Sequence, residues 1–221
     1  MTVSAIVSCY HAAKFVERRM VNLLSQKPQP EVVVVCQRYS FEHELAMKYP
    51  VKVVPTDDIP TIGKAWNLAI QNSVGEFIAI ANTDDLIYKG SYAYMEKCFK
   101  DERVGLVFPR IDMDKDGIVT SWIRIKNPEG LVEDMATLHS FRSIIGPMPM
   151  WRRSLHDQFG YMNEDYKVIT DYEFTLRLAL GGVGFYYVSE PKGLYLNRPD
   201  SLEHREFETL RAERLKVRPR A

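Results

Sequence analysis

Cysteine is scarce in this chain. Cys9, Cys36 and Cys98 are the only three among 221 residues. An odd, sparse set excludes a disulfide framework and fits a reducing compartment. Their spacing matches no zinc site. Each falls in an apolar run, which makes them small core residues. Net charge is also missing, because 29 lysines and arginines face 29 aspartates and glutamates. A neutral chain carries no electrostatic footprint for nucleic acid. No apolar run approaches the length of a membrane span. The N-terminus has neither the basic stretch nor the apolar core of a signal peptide. A soluble, cytoplasmic protein with at most peripheral membrane contact is expected. Glycine is missing where a phosphate-gripping turn needs it. Ser8-Cys9-Tyr10-His11 follows the first apolar run without one, and no G-x-G-x-x-G follows any strand. That counts against a dinucleotide-dependent dehydrogenase and against a sugar-phosphate nucleotidylyltransferase. Repeats and low-complexity segments are absent as well.

What is present is alternation. Val3 to Ser8 is a short apolar run. Ala12 to Gln26 then carries Val16, Met20, Leu23 and Leu24 at helical spacing. Glu31 to Cys36 holds four consecutive valines, the pattern of a strand buried on both faces. Tyr39 to Lys48 reads as helix and Val51 to Val54 as a third strand. Thr61 is placed to cap a helix running to Asn72. Phe77 to Ala81 is a fourth strand, Tyr92 to Phe99 a helix, and Val104 to Phe108 a fifth strand. The rhythm predicts an α/β fold with a Rossmann-like, mainly parallel central sheet flanked by helices. From Arg110 onward it breaks. Asp112 to Gly117 reads as a hairpin turn, and the second half reads as an α+β elaboration. The expected organisation is one domain over 1–221. Within it, 1–109 form one half, 110–205 the other, and 206–221 a basic tail. From Arg211 to Ala221 it sets Arg211, Arg214, Lys216, Arg218 and Arg220 against Glu213 alone. It reads as a solvated, frayed end, with weak anchoring to an anionic membrane as the sharper alternative.

In open α/β sheets ligands bind at the carboxyl ends of the strands. Two polar clusters lie there: Ser8 to His11, and Asn82-Thr83-Asp84-Asp85. Adjacent carboxylates repel unless a cation or hydrogen-bond donors offset them. Hard oxygen ligands suit Mg2+ or Mn2+, which also bind substrate phosphates. By itself, however, an Asp-Asp pair is as readily a turn cap.

The wider context resembles family 2 glycosyltransferases of the GT-A fold. The stretch Gly75 to Gly90, GEFIAIANTDDLIYKG, is similar to that family's strand running into an acidic cluster. Val3 to His11 with Phe15 and Leu23 to Gln26 resembles its opening, as does Ile62 to Ala69. Gly146 to Met150, Arg152 to Ser154, Phe159-Gly160 and Glu164 resemble its acceptor-side segment. Asp171 to Arg177, followed by Gly181 or Gly182, resembles its catalytic-helix motif.

The resemblance implies transfer of a sugar from a nucleotide-diphosphate donor, UDP-linked by preference, to a hydroxyl on a glycan, lipid or protein acceptor. It implies Tyr10 stacking on the base, with Ser8 and Thr83 beside it. Asp84 would meet the ribose or phosphate, Asp85 would ligate Mn2+ or Mg2+, and Asp171 would be the general base of an inverting reaction. The loop Asn197 to Arg205 corresponds to one that closes over the donor. There Arg198 and Arg205 would neutralise the leaving diphosphate, and His204 would add a metal or phosphate ligand. Three positions depart from the family pattern. Gln37 stands near where an acidic pair reads the base, and can still bond a base edge. Trp66 replaces an arginine before Asn67, a further donor-binding position, with Lys64 as the substitute cation. Asn82 replaces the first acid of the triplet. Met148 to Trp151 and Glu164 would hold the acceptor. These departures keep open a nucleotide-sugar-binding module without catalysis.

Overall fold

The computed structural model describes residues 2–58, 61–122, 128–141 and 143–217. Strands β1 (Val3–Cys9), β2 (Glu31–Gln37), β3 (Lys52–Thr56) and β4 (Phe77–Ile80) are joined by helices α1 (Ala13–Leu24), α2 (Phe41–Ala46) and α3 (Ile62–Gln71). The strands run parallel in the order β3-β2-β1-β4. β2 lies between two neighbours and is covered on both faces, which accounts for its unbroken valines. β3 lies at the sheet edge, where Pro55 is tolerated. The predicted cap of α3 forms, with Thr61 Oγ1 accepting from the Lys64 N–H at 3.1 Å.

Alternate residues of the strands serve two cores. Val3, Ala5, Val7, Val32 and Val34 pack with Val16, Met20 and Leu23 of α1. Ile6, Val33 and Val35 point the other way, onto Ala65, Trp66 and Ile70 of α3. The result is a three-layer arrangement whose strand ends are left open between helices.

The second half continues the same sheet. It comprises β5 (Leu86–Ile87), α4 (Ser91–Cys98), β6 (Val104–Lys115), β7 (Ile118–Trp122), β8 (Gly130–Leu131) and α5 (Met135–Phe141). β9 (Met150–Arg152), α6 (Leu155–Phe159), α7 (Thr170–Leu180), β10 (Gly184–Leu196), α8 (Leu202–Arg205) and α9 (Phe207–Val217) follow. β9 inserts antiparallel between β4 and β6, so β6 and β10 run the same way as the first four strands. The predicted hairpin joins β6 to β7 through Asp116 and Gly117, both at positive φ (55° and 81°).

Trp151, at the end of the Met148 to Trp151 segment, presents no face to a ligand. It is fully buried in β9, and its Nε1–H donates to His156 Nε2 at 3.0 Å. The basic tail is not frayed as far as Val217, because it forms α9 and buries Leu210 and Glu213. Arg218 and Arg220 lie outside the described residues. All three cysteines are free, Cys9 and Cys36 buried and Cys98 partly so. Among the described residues no helix is long and apolar enough to cross a membrane.

Candidate functional site

The carboxyl ends of β1 and β4, the start of α3, the approach to α7 and the chain after β10 surround a cleft of ≈ 640 Å³. Of the residues singled out from sequence, Ser8, Tyr10, Thr83, Asp84, Asp171, Arg198 and Arg205 line it. Its size suits a nucleotide-sized ligand. Tyr10 is half exposed at the mouth, tilted against His11 with ring centroids 4.2 Å apart. His11 has φ 52°, a left-handed conformation that is unusual for a non-glycine residue and puts the bend of the chain at the site. Thr83 ties the two strand ends together, its Oγ1 donating to the Ser8 carbonyl at 2.7 Å.

The neighbouring aspartates have separate fates. Asp84 faces the cleft, where the Arg198 guanidinium grips one of its oxygens through Nη2 at 2.8 Å and Nε at 3.1 Å. Arg198 also lies over the Phe15 ring and bonds Asp200 at 2.6 Å. Asp85, the expected metal ligand, is 1% exposed. Its carboxylate accepts from the Leu196 N–H at 3.1 Å and from Asn82 Nδ2 at 3.2 Å. Burial first, and the Asp84 charge second, push the Asp85 carboxyl up to about 7, against the pull of Arg19. The two sit in a tight turn, closed by the Asp85 N–H on the Asn82 carbonyl at 3.3 Å, and only one of them lines the cleft. It is Asp84. Asp85 instead anchors the end of β10, and with it the loop that carries Arg198.

Asp171 is the second residue of α7. The position before that helix is held by Ile169, which has no capping side chain. Asp171 Oδ1 itself accepts from the Tyr172 N–H at 2.7 Å, and the backbone leading into the helix is held from α9. Glu213 accepts from the backbone N–H groups of Lys167 (2.7 Å), Val168 (3.0 Å) and Ile169 (3.2 Å). A carboxylate on these otherwise unpaired donors fixes the approach to Asp171. Asp171 also lines a smaller recess of ≈ 110 Å³ that adjoins the cleft. Trp122 and Tyr195, with centroids 5.1 Å apart, form one wall of this recess, and Arg214 reaches it from α9.

Other expected site residues lie elsewhere. Gln37 is the exposed last residue of β2, and neither it nor Lys64 lines the cleft. His204 lies outside the lining too, with Nδ1 2.6 Å from the Arg198 carbonyl. Asn67 is spent on the fold. Its Nδ2 donates to the Met162 carbonyl (2.8 Å) and to Glu164 (2.9 Å), and its Oδ1 accepts from the Met162 N–H (3.0 Å). The same bonds hold Glu164 to the α3 side. Asn67→Ala should therefore lower unfolding free energy by about 2–4 kcal/mol through unpaired buried groups. Denaturant titration checks this, and a loss below about 0.5 kcal/mol, the level of an ordinary surface change, would deny the bridge. Lys167, Glu203 and Glu206 line the cleft without having been singled out. Lys167 and Glu206 sit in irregular segments, and Glu203 in the short helix α8, where charge alone does not mark them.

The sequence model of glycosyl transferase family 2 matches residues 4–168. No curated protein matches the chain. Among solved structures, an S. aureus TarS fragment in complex with UDP-GlcNAc superimposes with a TM-score of 0.77 at 20% identity, over 91% of this chain and 60% of that one. A Pyrobaculum calidifontis mannosyltransferase in complex with GDP-Man and Mn2+ gives 0.66 at 19% identity, over 98% and 62%. The chain thus spans less than two thirds of either structure, and at these identities the likeness speaks for the fold. The matched region runs from β1 through both aspartates to the approach to α7, and so takes in most of the cleft. On that match the chain belongs to glycosyl transferase family 2.

Proposed function

We propose that this chain transfers a sugar from a nucleotide-diphosphate donor, UDP-linked by preference, to an acceptor hydroxyl, with inversion. The observation that carries the reading is the place of Asp171, which lines both the large cleft and the adjoining recess. A donor in the first and an acceptor in the second would meet at its carboxylate.

Tyr10 covers the base at the mouth of the cleft. Arg198 and Arg205 face the diphosphate and offset the charge that develops as it leaves. Asp171 takes the proton of the acceptor hydroxyl as the oxygen attacks the anomeric carbon from the face opposite the diphosphate. The aromatic wall of Trp122 and Tyr195 packs on the acceptor.

The cleft fits a hard divalent cation. Asp84 offers a carboxylate, and Asn82 an amide oxygen whose Nδ2 partner is already spent on Asp85. Among the described residues no three His, Cys, Asp or Glu side chains gather to hold an ion. The remaining ligands would therefore be phosphate oxygens and water, the usual arrangement for Mg2+ and for Mn2+ in such sites. Arg198 would have to leave Asp84 for the diphosphate. An ion held there supplies Lewis-acid stabilisation of the departing diphosphate. The GDP-Man and Mn2+ of the mannosyltransferase structure support this assignment.

Calorimetry with UDP, GDP, UDP-GlcNAc, UDP-glucose and GDP-mannose, paired with assay of nucleotide release, tests the function. UDP and at least one UDP-sugar should bind, and Tyr10→Ala should weaken both by about 1–3 kcal/mol, the worth of one stacked base. An unchanged dissociation constant in the folded variant would move the base away from Tyr10. Failure of every nucleotide to bind would remove the reading altogether.

A further inference from the structure

We propose that the indole N–H of Trp66 selects the donor by bonding a hydroxyl of its sugar, an inference that rests on the nucleotide-sugar reading above. Trp66 is 4% exposed and packs in the core beside Ile6 and Ile80, yet part of it lines the large cleft. Its Nε1–H is buried and has no acceptor in the structure. The buried Trp151 satisfies the same group with His156. Native proteins leave few buried donors unpaired, because each loses the hydrogen bonds it had in water. A donor of this kind at the edge of a ligand cleft lacks only the atom that the ligand brings.

The surroundings say which atom. Tyr10 marks the base end of the cleft, and Asp84 with Arg198 marks the diphosphate. Gly63, one turn before Trp66 on α3, packs so tightly on Thr170 that a Cβ there would sit 2.8 Å from its Oγ1. Thr170 is the neighbour of Asp171. Trp66 therefore approaches from the Asp171 side, where the transferred sugar lies if Asp171 activates the acceptor. Ile62 and Ile80, which pack in the same core as Trp66, line the cleft with it. A neutral donor in an apolar rim suits a neutral hydroxyl, whereas a phosphate is held better by a cation. The aromatic ring adds an apolar face for the sugar carbons.

The test compares UDP-GlcNAc and UDP-glucose with UDP by calorimetry, on the unmodified chain and on Trp66→Phe. The variant should bind whichever UDP-sugar the unmodified chain binds about five- to thirtyfold more weakly, the range of one buried neutral hydrogen bond. Its affinity for UDP should change less than twofold. Its melting temperature without ligand should hold or rise, because an unpaired buried donor has gone. Should the smaller ring unsettle the core, the side chain at 66 can be replaced by benzothienyl-alanine, which keeps the shape and puts sulfur where Nε1–H stood. The same split between UDP-sugar and UDP is then expected. Equal weakening of UDP and UDP-sugar would give the N–H to the nucleotide and overturn the proposal. Unchanged UDP-sugar affinity would overturn it as well. If the unmodified chain bound no nucleotide at all, the proposed function would fall together with this inference.

Discussion

Asp171→Asn should fold normally, bind donor normally and transfer sugar about 100- to 10,000-fold more slowly, the usual contribution of a positioned base. Three observations make the split clean. Asparagine keeps the shape of the side chain. The backbone leading into α7 is held by Glu213 of the last helix, whatever stands at 171. Within the helix Asp171 Oδ1 accepts from the Tyr172 N–H at 2.7 Å, a bond that an asparagine oxygen can also accept, so what is lost is charge near the helix N-terminus, worth a few tenths of a kcal/mol to about 1 kcal/mol. A melting temperature within about 4 °C of the unmodified protein is the matching expectation. Donor affinity should survive because the base acts on the acceptor proton. A transfer rate within a few-fold of normal would end the catalytic assignment and remove the argument for inversion. Proton NMR of the first product formed checks inversion directly, since it reports the configuration at the new anomeric centre. Glu213→Gln makes a useful contrast. It weakens the hold on the backbone before Asp171 without touching substrate, and so should lower stability as well as rate.

Much of this fold can be read from the chain because its first half obeys local rules. Four valines in a row require cover on both faces, and β2 has it. Thr61 caps as its position predicts. The second half is governed by distant partners. β9 is only three residues long, and it belongs to the sheet because β4 and β6 flank it. The basic composition of the tail hides Glu213, whose burial depends on N–H groups more than forty positions earlier. The same distinction runs through the site. Ser8, Tyr10, Thr83 and Asp84 sit at strand ends and were recognisable there. Lys167 and Glu206 reach the cleft on irregular segments, and Glu203 on the four-residue α8, too short to carry a periodic pattern. The bonds of Asn67 are hidden from the sequence for a related reason. A buried amide looks the same in sequence whether it meets a ligand or a neighbouring loop, and here Met162 and Glu164 use it up. Which of two adjacent aspartates faces the cleft is likewise set by the turn they share and by the distant Leu196 N–H that holds Asp85, to which composition is blind.

That distinction between the aspartates decides the second large effect. In the unmodified protein, Mn2+ should tighten UDP binding relative to chelator. Asp84→Asn should abolish that gain and slow transfer by about 100-fold or more, since an ion at the departing diphosphate contributes several kcal/mol. Asp85→Asn should keep the gain. Its carboxyl is buried and held up to about 7 by desolvation and by Asp84, so the fold already favours its neutral form. An amide oxygen at 85 can still accept from Leu196. The substitution also removes the repulsion between the pair, so it should not destabilise the protein at neutral pH. Calorimetry of UDP with Mn2+ and with EDTA on all three proteins separates the cases. Loss of the gain in Asp85→Asn alone would return the ligand role to Asp85. Equal affinity with and without Mn2+ in the unmodified protein would take the ion out of the site. In that case Arg198, which grips Asp84 at 2.8 Å, would remain the cation facing that carboxylate. Asp84→Asn would then free Arg198 and strengthen UDP binding, the reverse of what a metal ligand predicts. The sign of that one change therefore tells the two arrangements apart.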